Sequence, residues 1–152
     1  MNLIKLVGIF IVFSVCALSG MAISFCLRKR AENLRCICYS LSSLRNGINH
    51  SGRELGDILG CSFENCRFIE FEGTGPMIND TFALKEKDIS MLKEFFGVLG
   101  TDAVSGENDK ITLYLDSFER ERKTAEKEAE SKCKIFTVSG FCIGLTAAIL
   151  FL

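Results

Sequence analysis

Tryptophan is absent from this chain, and proline and histidine occur once each. With Pro76 as the only proline, nearly the whole sequence is free of the residue that most strongly breaks helices. His50, as the only histidine, excludes a multi-histidine metal site and could act as a general base only in a couple with a cysteine, for which no supporting motif is present. A glycine-rich phosphate loop is also missing, because Gly73-Thr74-Gly75 lacks both the lysine and the helix that would complete one. Charge is missing over two long stretches. From Leu6 to Leu27, and again from Ile135 to Leu152, there is no Asp, Glu, Lys or Arg.

Those two runs organise the rest of the reading. As helices they extend roughly 33 Å and 27 Å, close to the ~30 Å hydrocarbon core of a bilayer. Every basic residue except Lys5, and all 19 acidic ones, lie between them. The sequence therefore predicts a transmembrane helix over residues 3–27, a helical domain over 28–134 and a second transmembrane helix over 135–152. A cleaved signal peptide is the alternative for the first run, with Ala17-Leu18-Ser19 as its cleavage motif. The run exceeds the usual apolar core of about 7–15 residues in such peptides, and Arg28-Lys29-Arg30 makes a basic stop. Neither Cys16 nor Cys26 has the small-residue setting of a lipoprotein site.

Basic residues flank the inner ends of both runs: Arg28, Lys29, Arg30 and Arg35 after the first, Lys127, Lys132 and Lys134 before the second. The positive-inside rule then puts the central domain in the cytoplasm and both termini outside. With 18 basic against 19 acidic residues, nothing in the charge balance points to nucleic acid. Of the eight cysteines, Cys16, Cys26 and Cys142 fall in the runs. The other five are expected as thiols on the reducing side of the membrane.

Within the central domain the periodicity is mostly helical. Leu34, Ile37, Leu41, Leu44 and Ile48 recur at spacings of three and four and predict a helix from Ala31 to about Ile48. Asn49-His50-Ser51-Gly52 ends it. Ser51, with Glu54 three residues on, reads as a capping box for a helix through Leu59 that stops at Gly60. Cys61 to Glu72 fits a short helix or an extended piece equally well. Gly73 to Pro76 reads as a loop. A helix over Lys85 to Leu99 buries Ile89, Leu92, Phe95, Phe96 and Leu99, and Gly100-Thr101-Asp102 breaks it. From Ile111 the apolar and small positions Leu115, Phe118, Ala125, Ala129, Cys133 and Phe136, with Arg122, follow one helical face. That helix is expected to run unbroken into the final uncharged stretch, supported by Glu119–Lys123, Glu128–Lys132 and Glu130–Lys134 pairs.

No constellation calls for catalysis, a cofactor or a small-molecule substrate. His50 reads as a turn residue. Cys36, Cys38, Cys61 and Cys66 could in number hold zinc, but Cys36 and Cys38 lie two apart on a helix and diverge by about 200°; small apolar filler is the simpler use. The charged face of the last helix, Glu119, Glu121, Arg122, Glu126, Lys127 and Glu130, is either solvated or a docking surface for a partner protein. In the uncharged runs, small residues repeat at helical spacing: Cys16, Gly20 and Ser24 in the first, Gly140, Gly144 and Ala148 in the second. Such faces let helices approach closely in lipid, either each other or another subunit, including a second copy of this chain.

Order and spacing together carry a resemblance. Lys29-Arg30 follows the first run and Leu41-x-x-Leu44 lies on the next helix. Lys85-x-x-Asp88 leads to Leu92, Phe95 and Leu99-Gly100-Thr101-Asp102. Leu115-x-x-Phe118-Glu119-Arg120-Glu121 follows, then Lys134 through Ser139-Gly140-Phe141 and an apolar tail. This layout resembles the stage III sporulation protein AB family. The chain departs from it over Leu59 to Phe82, where glycine-rich and aromatic sequence replaces an expected helix. The family's glutamine-rich or basic start to the last helix is also thin.

The resemblance implies an all-α protein, a helical-bundle cytoplasmic domain flanked by N- and C-terminal transmembrane helices. It implies a non-enzymatic subunit, similar to the platform protein of type II secretion, in a channel between mother cell and forespore. A partner ATPase and other membrane subunits are implied as partners, and the mother-cell membrane as the location. A membrane scaffold unrelated to sporulation, or a cysteine-based metal or redox sensor, are the competing readings.

Overall fold

Helices form wherever the sequence offers an apolar face uninterrupted by proline, and here that covers most of the chain. The computed structural model describes residues 3–50, 54–72, 75–78, 83–100 and 104–151. In chain order these form α1 (Leu3–His50), α2 (Leu55–Phe63), β1 (Ile69–Glu72), β2 (Gly75–Ile78), α3 (Glu86–Val98) and α4 (Val104–Phe151). The protein is mostly helical, as an all-α reading requires, with one small antiparallel hairpin added. The chain divides into two compact units, Arg30–Thr124 and a second made of Met1–Lys29 with Ala125–Leu152.

In the central unit the core follows the anticipated periodicity. Leu34, Ile37, Leu41 and Leu44 of α1 are fully buried, with Leu92 and Phe95 of α3 and Ile111 and Phe118 of α4. Each such side chain contributes about 1.5–3 kcal/mol through its removal from water. Helix α2 does not stop at Gly60 but continues to Phe63. A helical glycine costs about 1 kcal/mol relative to alanine, and the burial of Phe63 against Phe71 and Phe96, with ring centroids at 6.0 and 5.5 Å, offsets it. The proposed Ser51 cap lies outside the described residues.

The ambiguous stretch Cys61 to Glu72 divides: Cys61 to Phe63 close α2, and Ile69–Glu72 form a strand. Ile69 pairs with Ile78 and Phe71 with Pro76, so Gly75 and Pro76 belong to β2 rather than to a loop. The sheet has two strands, so each is an edge, and an edge tolerates a proline without a free N–H. Phe68 and Ile69 are buried, the partly exposed Phe71 meets the rings of Phe63 and Phe96, and the alternation of β1 is too short to distinguish from a helix by pattern.

Helix α3 begins where the Asp88 carboxylate accepts the Lys85 N–H at 3.1 Å, and Glu86 and Asp88 complement the positive end of its dipole. It ends at Gly100, whose φ of +84° is strained for any L side chain. Helix α4 starts earlier than Ile111, at Val104. Its first turn carries Glu107, paired with Lys110, and the Lys110 ammonium also donates to the Val98 carbonyl at the end of α3.

In the second unit the uncharged parts of α1 and α4 pack against each other. A Cβ built on Gly20 would lie 2.6 Å from the Phe136 carbonyl oxygen and 3.5 Å from the Gly140 Cα, so only glycine permits this approach. Ser24 Oγ lies 3.1 Å from both the Cys133 carbonyl and Thr137 Oγ1. The Cys133 thiol donates back to the Ser24 carbonyl at 3.3 Å. Phe13 meets Phe141 edge to face at 5.4 Å. Among the described residues no helix is long and apolar enough to cross a membrane. The two transmembrane helices expected from the uncharged runs are therefore not supported at this level. Each run forms part of a longer helix, α1 or α4.

Candidate functional site

The most tightly built polar feature of the central unit joins α1, α3 and α4. Arg30 Nε donates to Asp88 Oδ2 at 2.9 Å and Arg30 Nη2 to Asp88 Oδ1 at 3.0 Å. The same Nη2 reaches Glu121 Oε2 at 3.2 Å, and Glu121 also pairs with the exposed Lys87. The Arg30 and Asp88 side chains are 4% and 0% exposed, so the pair is effectively out of water. Burial works against the guanidinium charge, but hydrogen bonds to Asp88 and Glu121 and their negative charge outweigh it and hold Arg30 above its ordinary range.

A bidentate arginine–carboxylate pair fixes both distance and orientation. Asp88 does this while also capping the backbone of α3. Arg30, Asp88 and Glu121 lock three helices to one geometry and hold no nucleophile. Partial signals for them are present along the chain: Arg30 closes the basic cluster after the first run, and Asp88 sits three residues into α3 at a capping-box position.

The charged face of α4 is more varied than its sequence suggests. Glu121, expected as an exposed docking residue, is instead largely enclosed by Arg30 and Lys87. Glu119, Arg122 and Glu126 are half-buried, and Lys127 and Glu130 are exposed. Two of the three anticipated i,i+4 pairs form, Glu119–Lys123 at 3.9 Å and Glu128–Lys132 at 3.5 Å. Among the small residues of the runs, Gly20, Ser24 and Gly140 come together in the second unit. Gly144 and Ala148 continue along α4, and their surroundings lie outside what the structure describes.

Two of the four cysteines of the central unit correct the expectation that the five outside the runs are all thiols. Cys36 of α1 and Cys66 after α2 form a disulfide, with Cα atoms 6.0 Å apart. A turn from the Phe63 carbonyl to the Cys66 N–H at 2.9 Å presents Cys66 to α1. There its sulfur also lies 3.3 Å from Ser40 Oγ. Spacing along the chain could not reveal this pairing, because it depends on the way α2 folds back. Cys38 is a buried thiol and Cys61 an exposed one. Among the described residues no three His, Cys, Asp or Glu side chains converge as a metal site.

The second unit contains a cavity of about 500 Å³ lined by Arg28 of α1 and by Ala129, Glu130, Cys133 and Lys134 of α4. Arg28, Glu130 and Lys134 are exposed and Cys133 is buried. In the sequence, Arg28 and Lys134 mark the inner ends of the two uncharged runs.

Compared with known proteins, residues 76–152 match the family model of stage III sporulation protein AB. No curated protein and no solved structure matches the chain.

Proposed function

The chain belongs to the stage III sporulation protein AB family and is sporulation-related, and from that premise we propose that it is a non-enzymatic, membrane-anchored subunit of a mother cell–forespore channel that serves as platform for a partner ATPase. The observation that carries the membrane part is the outer surface of the second unit. Phe10, Val15, Ile135, Val138 and Ile149 are each more than 60% exposed there. Apolar surface on that scale calls for lipid or a partner, and the two runs that supply it are free of charge. Small residues at Gly20 and Gly140 support a closely packed helical hairpin as the anchor.

The charged face of α4 is the proposed docking surface, now without Glu121. Glu119, Arg122, Glu126, Lys127 and Glu130 remain for contact with an ATPase or another membrane subunit. Resistance of the full chain to alkaline extraction from membranes tests the anchor. Co-purification of a co-expressed ATPase with the Glu119→Lys, Glu126→Lys double variant tests the surface. Capture should fall while the thermal unfolding midpoint stays unchanged, and undiminished capture would remove α4 as the docking face.

One observation favours a second reading of topology. Basic residues at the inner ends of both runs support a cytoplasmic central unit. The Cys36–Cys66 disulfide favours the opposite, oxidising side, because such bonds rarely persist in the cytoplasm. Reporter fusions inserted at Thr101 distinguish the two: fluorescence of a cytoplasmic reporter supports ATPase docking, and activity of an exported phosphatase rules it out.

A further inference from the structure

We propose that the cavity lined by Arg28, Glu130, Cys133 and Lys134 binds the phosphate of an anionic phospholipid headgroup. The inference deepens the membrane-anchored reading and rests on it. Arg28 directly follows Leu27, the last residue of the first uncharged run, and Lys134 directly precedes Ile135, the first residue of the second. In an anchored chain both cations stand at the depth where apolar side chains give way to headgroups. They come from different helices and line one cavity of about 500 Å³, room for a headgroup rather than for a single ion. The apolar residues that begin at Ile135 on α4 offer the adjoining acyl chains a surface.

Charge selects among headgroups. Arg28 and Lys134 supply two positive charges and Glu130 one negative, a net of one positive charge. A singly charged phosphodiester such as phosphatidylglycerol neutralises that, and its hydroxyls can donate to Glu130. A zwitterionic lipid leaves the excess in place. The guanidinium of Arg28 suits a phosphate by its planar fork of donors, and the lysine adds a point charge.

The test uses the full chain in vesicles of phosphatidylcholine containing one-fifth phosphatidylglycerol or one-fifth phosphatidylethanolamine. Alkaline extraction reports integration, and mass spectrometry of the detergent-extracted protein reports retained lipid. Phosphatidylglycerol should be retained roughly fivefold over its share in the vesicle, the gain expected of one net cation at a membrane surface. Arg28→Gln with Lys134→Gln should abolish that preference while integration persists. Glu130→Gln should strengthen it, and Lys93→Gln, on α3, should leave it unchanged. Free glycerol phosphate at millimolar concentration should not displace the lipid; displacement would identify a soluble phosphate site and overturn the assignment. Integration without a phosphatidylglycerol preference, or an equal preference for phosphatidylethanolamine, overturns the headgroup site alone. Failure to integrate overturns both it and the anchored reading.

Discussion

Arg30 and Asp88, 58 positions apart in sequence, are joined by two nearly parallel hydrogen bonds in a place that water does not reach. Such a pair gains little over a well-packed apolar substitute, because both charges lose their hydration. Breaking it from one side is another matter, since a buried charge is left without its counterion. Asp88→Ala should therefore destabilise the central unit by about 3–5 kcal/mol, and it also removes the cap on the Lys85 N–H. Replacing both partners, Arg30→Met with Asp88→Leu, should recover most of that loss. Urea unfolding followed by far-UV circular dichroism measures both. A double variant as unstable as the single one would show that the charges themselves hold the helices together.

The close approach at Gly20 has a sharper steric reading. Its missing side chain leaves space for the Phe136 carbonyl, which is backbone and cannot rotate aside. Gly20→Ala should lower the stability of the packed helices by about 1–3 kcal/mol, the usual cost of overpacking. Gly8, on the same helix, has nothing within 4 Å of a built Cβ, so Gly8→Ala should be neutral or slightly stabilising. Thermal unfolding in detergent micelles compares the two.

The disulfide between Cys36 and Cys66 spans 30 positions, and a loop of that length restricts the unfolded chain by about 3–4 kcal/mol on the chain-entropy model. Cys36→Ala with Cys66→Ala should lower unfolding stability by up to that amount. Alkylation of the native chain without reductant, read by mass spectrometry, should label the exposed Cys61, spare the buried Cys38 until unfolding, and leave Cys36 and Cys66 unlabelled throughout. Labelling of either before reduction would contradict the bond.

Much of this architecture was legible in the residues. Leu34 through Leu44 and Ile111 through Phe118 carry their helical period openly, because each burying face is a continuous stripe on one element. The break at Gly100 was legible too, since a glycine after an apolar period is a common helix end. The hairpin was not: four-residue strands carry too little alternation to outweigh a helical alternative, and Gly75-Pro76 has turn chemistry even though it pairs. The Arg30–Asp88–Glu121 lock was hidden for a different reason. Each residue looks like an ordinary surface charge along its own helix, and only the packing of three helices buries them together. Glu121 is half-buried there, paired with Arg30 and Lys87.

Tyr114 offers a titration that follows from packing. Its phenol is raised above its ordinary range, first by burial and then by the hydrogen bond and negative charge of Glu94, with Lys110 opposing. Phe95 covers it edge-on at 5.4 Å. A group whose folded pKa exceeds its unfolded value stabilises the fold below the unfolded value, and that contribution is lost as pH rises through the folded one. Stability should accordingly be insensitive to this group below about pH 10, the unperturbed tyrosine value, and decline above it. Tyr114→Phe should remove that decline. The absence of tryptophan makes the measurement clean: only two tyrosines absorb, and Tyr39 is 66% exposed. Phenolate absorbance should show the Tyr114 step, identified as the one lost in Tyr114→Phe, above the ordinary tyrosine range. A Tyr114 step at about pH 10, the unperturbed tyrosine value, would mean that neither burial nor Glu94 acts on it in solution.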